Sequence, residues 1–130
     1  MGIIKDRFKA KADSVATEIK DLLKEHGNKK IGEVTLSQVY QGMRGITGLV
    51  TETSLLDAQE GIRFRGYSIP ELQVKLPKAP GGSEPLPEGL FYLMLIGELP
   101  NDEDAEHVTN ILQRRSHVPT HVFEAIDALP

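Results

Sequence analysis

Several residue types that define particular protein classes are scarce or missing in this sequence of 130 residues. It contains no cysteine, which excludes a disulfide scaffold, a thiol nucleophile and thiolate metal sites. Its longest uninterrupted apolar run, Leu90 to Ile96, covers seven residues, far fewer than the roughly 20 that cross a bilayer. With 39% hydrophobic and 26% charged residues, the composition is that of one ordinary soluble domain with enough chain for a core.

The charge is uneven along the chain, although the net value is only −4. Residues 1–30 carry eight basic and five acidic groups, whereas residues 79–130 carry two basic and nine acidic groups. Nucleic-acid binding needs a concentrated basic face or an aromatic stacking platform. An acidic chain with three Tyr, four Phe and no Trp provides neither, so we expect no nucleic-acid partner.

The beginning of the chain predicts one amphipathic helix. At helical pitch, its apolar side chains fall on an arc about 100° wide, the width of a core-facing stripe. They are Ile4, Phe8, Ala12, Val15, Ile19, Leu22 and Leu23. The segment His26-Gly27-Asn28 ends the helix, because Gly readily takes the left-handed cap conformation. Acidic residues interrupt the polar face, which favours packing on the protein's own core over a membrane surface.

The middle of the chain predicts short elements separated by glycines. Residues Ile31 to Thr35 form a β-prone piece, and Leu36 to Met43 predict a brief helix. The Val and Thr content of Leu49 to Leu56 predicts a strand, and Gly61 to Gly66 predicts a second one. Since only residues 57–60 join these two strands, we expect a small β-hairpin.

The last part of the chain is predicted to be helical. Pro70 to Leu76 form a short helix, and Pro77 to Pro87 form a surface loop rich in proline. Leu90 to Ile96 are apolar at every position, which predicts burial on all sides. Periodicity does not choose between a helix and a central strand there, although the flanking Pro87 and Gly97 suit the two ends of a helix.

Two further helices follow. Asn101 is a fitting N-cap for the first, and acidic residues in its first turn complement the positive helix end. Its apolar face is predicted to contain Ala105, Val108, Ile111 and Leu112. The second begins near Pro119 and is predicted to turn Val122, Phe123 and Ile126 inward.

One glycine-rich stretch has chemistry of interest, Gly42-Met43-Arg44-Gly45-Ile46-Thr47-Gly48. Glycines let the backbone approach a ligand closely, and the forked donors of Arg44 suit a phosphate or a carboxylate. The stretch is neither a G-x-G-x-x-G fingerprint nor a P-loop. From spacing alone, a plain turn with an exposed arginine is the favoured interpretation.

The other candidate groups favour structural roles. Arg63 and Arg65 lie two apart on a predicted strand, where both would point to one face and pair with a dianion or, more commonly, with acidic neighbours. His117 and His121 are separated by a predicted helix start, and three converging ligands are missing, so we expect no metal site. The acidic residues 102–104 are expected partners of a helix dipole.

Several blocks of the sequence, in this order, resemble the citrate synthase family in its dimeric, mitochondrial-type form. They are Gly42 to Gly45, Gly48 to Ser54, Gly61 to Glu71 and Gly81 to Phe91. The resemblance runs from near Phe8 to Pro130 and covers only the leading segment of the family's chain. One departure is Gln41, where the mitochondrial type commonly has Gly.

The resemblance implies a mainly α fold in which residues 1–130 are a single segment, the N-terminal part of the large helical domain, with a small β-hairpin. Family members are homodimers that condense acetyl-CoA with oxaloacetate to give citrate and CoA in the tricarboxylic acid cycle. They use no prosthetic group. The catalytic Asp and two His of the family lie in later sequence, and none of His26, His107, His117 and His121 matches them. The segment alone is therefore expected to be inactive.

The resemblance implies one functional contact within these residues. In the dimeric enzymes the arginine of the M-R-G turn, here Arg44, is among the groups that approach the phosphates of CoA. Arg63 and Arg65 match the family's strand and are interpreted as structural.

The resemblance also bears on location. A secretory signal is not expected, because no apolar stretch precedes Lys5, and the acidic residues of 1–25 are unlike a mitochondrial transit peptide. Because the resemblance is to a form that also occurs in some bacteria, a bacterial cytoplasm is predicted, with a processed mitochondrial chain as the alternative. Two other interpretations remain open, namely an autonomous helical interaction module and a segment of a 2-methylcitrate synthase.

Overall fold

Helices dominate the described part of the chain, residues 2–46 and 48–129 of this computed structural model. Met1, Thr47 and Pro130 lie outside the described residues. The helices are α1 (Gly2–His26), α2 (Leu36–Tyr40), α3 (Ile69–Lys75), α4 (Pro87–Ile96), α5 (Asp102–Arg114) and α6 (Thr120–Asp127). Three strands form an antiparallel sheet in the order β1-β2-β3, namely β1 (Ser54–Asp57), β2 (Gly61–Phe64) and β3 (Tyr67–Ser68). The predicted mainly α fold with a small hairpin is confirmed.

Helix α1 contains the predicted apolar stripe, but only the part up to Val15 is packed, where Ile4 and Val15 are half-buried. Ile4 lies against the buried cluster of Tyr92, Ile96 and Val108. Further along the helix, Leu22 and Leu23 are exposed. The predicted helix is therefore confirmed, whereas its burial along the whole stripe is wrong, because α4 spans only a few turns and covers only part of a helix of 25 residues.

A polar contact fixes the packed end of α1. Arg7 Nη1 donates to the hydroxyl of Tyr92 and lies 2.5 Å from Asp104 Oδ1. The hydrogen bond with Tyr92, followed by the charges nearby, raises the pKa of Arg7 above its usual value. One side chain thus ties α1 to both α4 and α5.

The hairpin forms as predicted, with pairs running from Ser54 with Phe64 to Asp57 with Gly61. Asp57 Oδ1 accepts the backbone N–H groups of Gln59 and Glu60, both at 2.8 Å, which closes the turn. These bonds, the one from Glu60 first, lower the pKa of Asp57. A third strand, β3, was not predicted from the sequence.

Two predicted β segments have no regular structure. Ile31 to Thr35 are exposed and lead into α2, and Thr35 serves as its N-cap. The strand predicted from Leu49 starts only at Ser54. Its partner β2 ends at Phe64, where the chain turns through left-handed φ values of 48° at Arg65 and 86° at Gly66, so residues 49–53 have no strand to pair with.

The core lies between α3, α4 and α5. One cluster joins Leu72, Leu76 and Leu93, and a second joins Tyr92, Ile96 and Val108. Each flanking helix begins with a capping box, Ser68 with Glu71 in α3 and Asn101 with Asp104 in α5. Such reciprocal caps satisfy N–H groups that the helix itself leaves unpaired.

Helix α4 begins at Pro87 and ends at Gly97, whose φ of 87° is the left-handed cap that glycine favours. It is not buried on all sides as predicted, because Phe91 remains 50% exposed. Phe91 lies on an apolar groove of about 280 Å³ between α1, α4 and α5. The groove is also lined by Phe8, Leu95, Ile111 and Leu112.

Helix α6 begins after Pro119 as predicted. Val122 is half-buried, but Phe123 and Ile126 are exposed, which contradicts their predicted inward orientation. The apolar face of α6 is present in the sequence, while the described residues supply too little surface to cover it. None of the described helices combines the length and apolarity needed to span a bilayer.

The predicted loop from Pro77 to Pro87 is confirmed up to the start of α4. Its two arms are held together by an isolated bridge between Lys78 and Pro85. The N–H of Leu86 also donates to the carbonyl of Pro77 at 2.8 Å. The loop therefore closes on itself at the edge of the core.

Candidate functional site

The glycine-arginine turn, defined here as Gly42 to Gly45, directly follows α2. Left-handed φ values occur at Gly42 (74°), Met43 (62°) and Gly45 (73°). Ile46 N donates to the Met43 carbonyl at 3.2 Å, so Gly45 is the third residue of a four-residue turn, where a positive φ calls for glycine. The sequence predicted only that these glycines let the backbone approach a ligand, so the positive φ at Gly42 and Gly45 is a finding of the structure. Thr47, within the original motif, lies outside the described residues.

Hydrogen bonds from the end of α2 hold the turn in place. Met43 N donates to the Gln38 carbonyl at 2.8 Å, and Gly42 N donates to the Val39 carbonyl at 3.3 Å. The left-handed conformation at Met43 costs about 1 to 2 kcal/mol for a residue with a Cβ. These bonds offset that cost, because a backbone conformation of this kind persists only where its surroundings impose it.

Arg44 stands at the tip of the turn with an exposed side chain. Within residues 2–46 and 48–129 it forms no ion pair. Its backbone carbonyl accepts a hydrogen bond from Gln38 Nε2 at 3.5 Å. The backbone of Arg44 is thus held by α2, while the guanidinium keeps its forked donors available to an anion from solvent.

The two arginines of the hairpin have structural partners. Arg63 Nη2 lies 2.9 Å from Glu60 Oε2, and Arg63 Nη1 donates to the Gly66 carbonyl at 3.1 Å. Arg65 donates to the Met94 carbonyl from Nη2 at 2.9 Å and from Nε at 3.2 Å, and lies 3.7 Å from Glu52. The predicted internal pairing is confirmed. The predicted common strand face is wrong, because β2 ends before Arg65 and Arg65 turns away in a left-handed conformation.

The histidines and the acidic run form no metal site among the described residues. His117 precedes α6 and His121 lies within it, so they share no helical face, as predicted. Asp102, Glu103 and Asp104 occupy the first turn of α5, where the dipole interaction was expected. In the described part of the chain, Glu88 Oε2 and His107 Nε2 are buried without a hydrogen-bond partner, a feature with no signal in the sequence.

Gln38 is the residue that sequence reasoning missed. Its side chain completes the capping box of α2 with Thr35, and it also reaches the turn. The signal was present, since Thr35 followed by Gln three residues later is the capping-box pattern. The pattern predicts the helix start, whereas the contact with Arg44 depends on the turn beyond the helix.

Comparison with known proteins gives a consistent result. A family model described as "Citrate synthase, C-terminal domain" matches residues 42–130, a range that begins at the first glycine of the turn. The mitochondrial citrate synthase of Saccharomyces cerevisiae is 54% identical over 127 residues, covering 98% of this chain and 26% of the relative. The mitochondrial citrate synthase of Kajikia audax is 53% identical over 114 residues, covering 88% of this chain and 24% of the relative.

A relative with a different name is equally similar. The mitochondrial 2-methylcitrate synthase of Yarrowia lipolytica is 54% identical over 127 residues, covering 98% of this chain and 27% of the relative. The chain thus spans about a quarter of the length of these curated relatives. The family match over residues 42–130, together with the helical fold, shows that the chain belongs to the citrate synthase family.

Proposed function

We propose that this chain is the N-terminal part of a citrate synthase whose full-length form condenses acetyl-CoA with oxaloacetate to give citrate and CoA. The observation that carries the proposal is the 54% identity to the yeast enzyme across 98% of the chain. Residues 1–130 act as one segment of the large domain. The reaction needs no prosthetic group, and acetyl-CoA enters as a substrate.

The segment contributes a framework rather than the reacting groups. The condensation needs a base for the methyl proton of acetyl-CoA and donors for the developing enolate and the oxaloacetate carbonyl. His26, His117 and His121 are exposed, and within the described residues no three or more histidines and carboxylates come together in a group that could hold a metal ion. The chain of 130 residues is inactive alone.

Arg44 is the residue through which the segment touches substrate, by binding a phosphate of CoA. Two features support this role: the guanidinium is exposed on a tightly held turn, and the described residues supply no carboxylate that neutralises it. A guanidinium binds a phosphate through charge and paired hydrogen bonds. The contact adds affinity for CoA without taking part in bond making.

The test is the affinity of the full-length protein for CoA. Changing Arg44 to Ala is expected to weaken CoA binding by about tenfold or more, because charge-assisted hydrogen bonds are worth roughly 1.5 to 3 kcal/mol. Arg44→Lys keeps the charge but loses the fork, and it is expected to fall in between. Lys29→Ala removes an exposed cation outside the turn and serves as the control. Unchanged affinity in Arg44→Ala, for CoA and for its dephosphorylated analogue, would remove the assignment.

A 2-methylcitrate synthase is the second candidate, because the Yarrowia lipolytica relative of that name is as similar as the yeast citrate synthase. The additional methyl group of 2-methylcitrate requires a propionyl group in place of acetyl. The ratio of kcat/KM for acetyl-CoA and propionyl-CoA, measured on the full-length enzyme, separates the two. A preference for acetyl-CoA supports citrate synthase.

A location and an assembly state complete the proposal. The predicted bacterial cytoplasm has no support among the relatives, which are described as mitochondrial. We propose a mitochondrial location on that ground, and a homodimer on the ground of the family resemblance. Fractionation of the source cells tests the first, and light scattering of the full-length protein tests the second.

An autonomous interaction module is the remaining alternative. Such a module would cover its own apolar side chains, yet Phe91, Phe123 and Ile126 are exposed. Exposed apolar surface of this kind promotes self-association and dye binding. A monodisperse monomer of the 130-residue chain that binds no apolar dye would favour the module.

A further inference from the structure

We propose that Gln38 is a positioning residue for Arg44. Its side-chain amide joins the first turn of α2 to the glycine-arginine turn and so fixes the direction in which the guanidinium leaves the backbone. The inference rests on the proposed contact between Arg44 and a CoA phosphate. It adds a residue that touches no substrate and acts only through Arg44.

The two ends of the Gln38 amide have different partners. The oxygen, Oε1, accepts from Thr35 N at 3.0 Å and from Thr35 Oγ1 at 3.2 Å. The nitrogen, Nε2, donates to the Arg44 carbonyl at 3.5 Å. Because a backbone N–H needs an acceptor and a carbonyl needs a donor, only this orientation of the amide satisfies both ends.

The backbone of Gln38 holds the same turn. Its carbonyl accepts from Met43 N at 2.8 Å, and its own N–H donates to Thr35 Oγ1 at 3.3 Å. A methyl group added to Gly45 would lie 3.9 Å from Gln38 Nε2, so the amide packs directly on the turn. Main chain and side chain of one residue therefore connect the cap, the helix and the turn.

Within the described residues, core packing does not hold this region, so hydrogen bonds set its geometry. No residue of α2 is buried, and Gln38 is the only half-buried residue of this helix. Leu36, Val39 and Tyr40 of the same helix are exposed apolar side chains. Among the described residues, the polar contacts of Gln38, together with the backbone bonds of Gly42 and Ile46, keep the Arg44 backbone in place.

The expected consequence is a loss of CoA affinity without a loss of chemistry. When the binding geometry is populated only part of the time, the apparent affinity falls by that fraction. Loss of the Nε2 donor lets the turn leave its strained conformation at Met43 more often. The KM for acetyl-CoA and the Kd for CoA should rise, while kcat and the KM for oxaloacetate stay as they are.

Two variants of the full-length enzyme test the donor. Gln38→Glu keeps the acceptor that caps α2 through Thr35 but has no donor for the Arg44 carbonyl. Gln38→Met removes both the donor and the capping acceptor and adds no charge. Both are expected to raise the Kd for CoA about threefold, the effect of one neutral hydrogen bond. Gln41→Glu is the matched control, because it places a carboxylate on the next turn and leaves the Gln38 amide intact.

The double variant separates positioning from other effects. In the Arg44→Ala background, Gln38→Met should cause no further loss, because the residue acts only through Arg44. A further threefold loss in that background would overturn the proposal. So would wild-type affinity in Gln38→Met combined with equal losses in Gln38→Glu and Gln41→Glu, since charge alone would then explain the effect.

Failure of this proposal and failure of the phosphate contact give different results. If Arg44→Ala weakens CoA binding and both Gln38 variants bind like wild type, the positioning role is wrong and the contact stands. If Arg44→Ala binds like wild type, the contact itself is wrong. The proposal requires losses in Arg44→Ala and in both Gln38 variants.

Discussion

Two regions of this chain are shaped by different forces. The region of α3, α4 and α5 buries Leu72, Leu93 and Val108, and apolar burial sets its geometry. Residues 27–46 contain no buried side chain, and capping hydrogen bonds and left-handed glycines set theirs. The candidate site lies in the second region. Stability and function should therefore respond to different substitutions.

The largest effect is expected in the packed region. Leu93 is fully buried, so Leu93→Ala should lower the free energy of unfolding by about 2 to 5 kcal/mol through lost burial and the cavity left behind. Leu36→Ala is the matched control, since Leu36 lies in α2 and is exposed. Denaturant unfolding measures both. Equal losses in the two variants would contradict the division into two regions.

The capping boxes of the packed helices predict a smaller effect. Asn101 Oδ1 accepts from Asp104 N at 2.8 Å at the start of α5, so Asn101→Ala should destabilise the chain by about 1 kcal/mol. Asn110→Ala, at an exposed position inside the same helix, should change stability little. Equal melting temperatures for the two variants would show that the cap contributes little to stability.

The same substitution, Gly to Ala at a left-handed φ, can be made once in each of the two regions. Gly97 ends the buried helix α4 with a φ of 87°, and Gly45 lies in the turn with a φ of 73°. An added Cβ costs about 1 kcal/mol at either position. Gly97→Ala is expected to lower the melting temperature, whereas Gly45→Ala leaves it almost unchanged and weakens CoA binding by the full-length enzyme. A lower melting temperature in Gly45→Ala, with little change in Gly97→Ala, would show that the turn unfolds together with the packed core.

The smallest effect concerns pH. Backbone hydrogen bonds hold the pKa of Asp57 below its usual value, and those involving Ser68 lower the pKa of Glu71. A lowered folded-state pKa stabilises the fold above the unfolded value and loses that contribution as pH falls through the folded value. Unfolding should therefore become easier as pH drops below about 4. Asp57→Asn keeps an oxygen that accepts the turn hydrogen bonds but has no carboxylate to titrate. The free energy of unfolding of this variant should therefore depend less on pH.

Local sequence signals predicted most of the helices. Caps and apolar spacing located α1 and α5, and Gly97 marked the end of α4. The short helix α3 was predicted from Pro70 onward, and its capping box was found in the structure. Such signals act within one or two turns, so the sequence contains them directly. The family resemblance added membership of a large helical domain, which no local pattern provides.

Features that depend on distant partners were the ones mispredicted. Residues 31–35 and 49–53 have β-prone composition, but a strand needs a neighbour, and β2 is too short to supply one. Phe91 and Phe123 are exposed because the described residues include no surface that covers them. Periodicity shows which face is apolar, and it does not show what covers that face.

The candidate site was predictable in part. The glycines and Arg44 were recognised from the motif, whereas the left-handed φ values, including that of Met43, were found only in the structure. The amide bridge of Gln38 was not predicted either, because it joins a capping pattern to a turn through a contact six residues apart. The capping box and the glycine-arginine turn are each common local patterns. The contact between them is visible only in the folded chain.

The release of CoA thiol from acetyl-CoA in the presence of oxaloacetate tests the central claim most directly. The full-length protein is expected to turn over, and the purified 130-residue chain is expected to give only the background rate, because the family resemblance assigns the base and the two histidines to later sequence. Robust turnover by the 130-residue chain would show that these residues hold the reacting groups themselves.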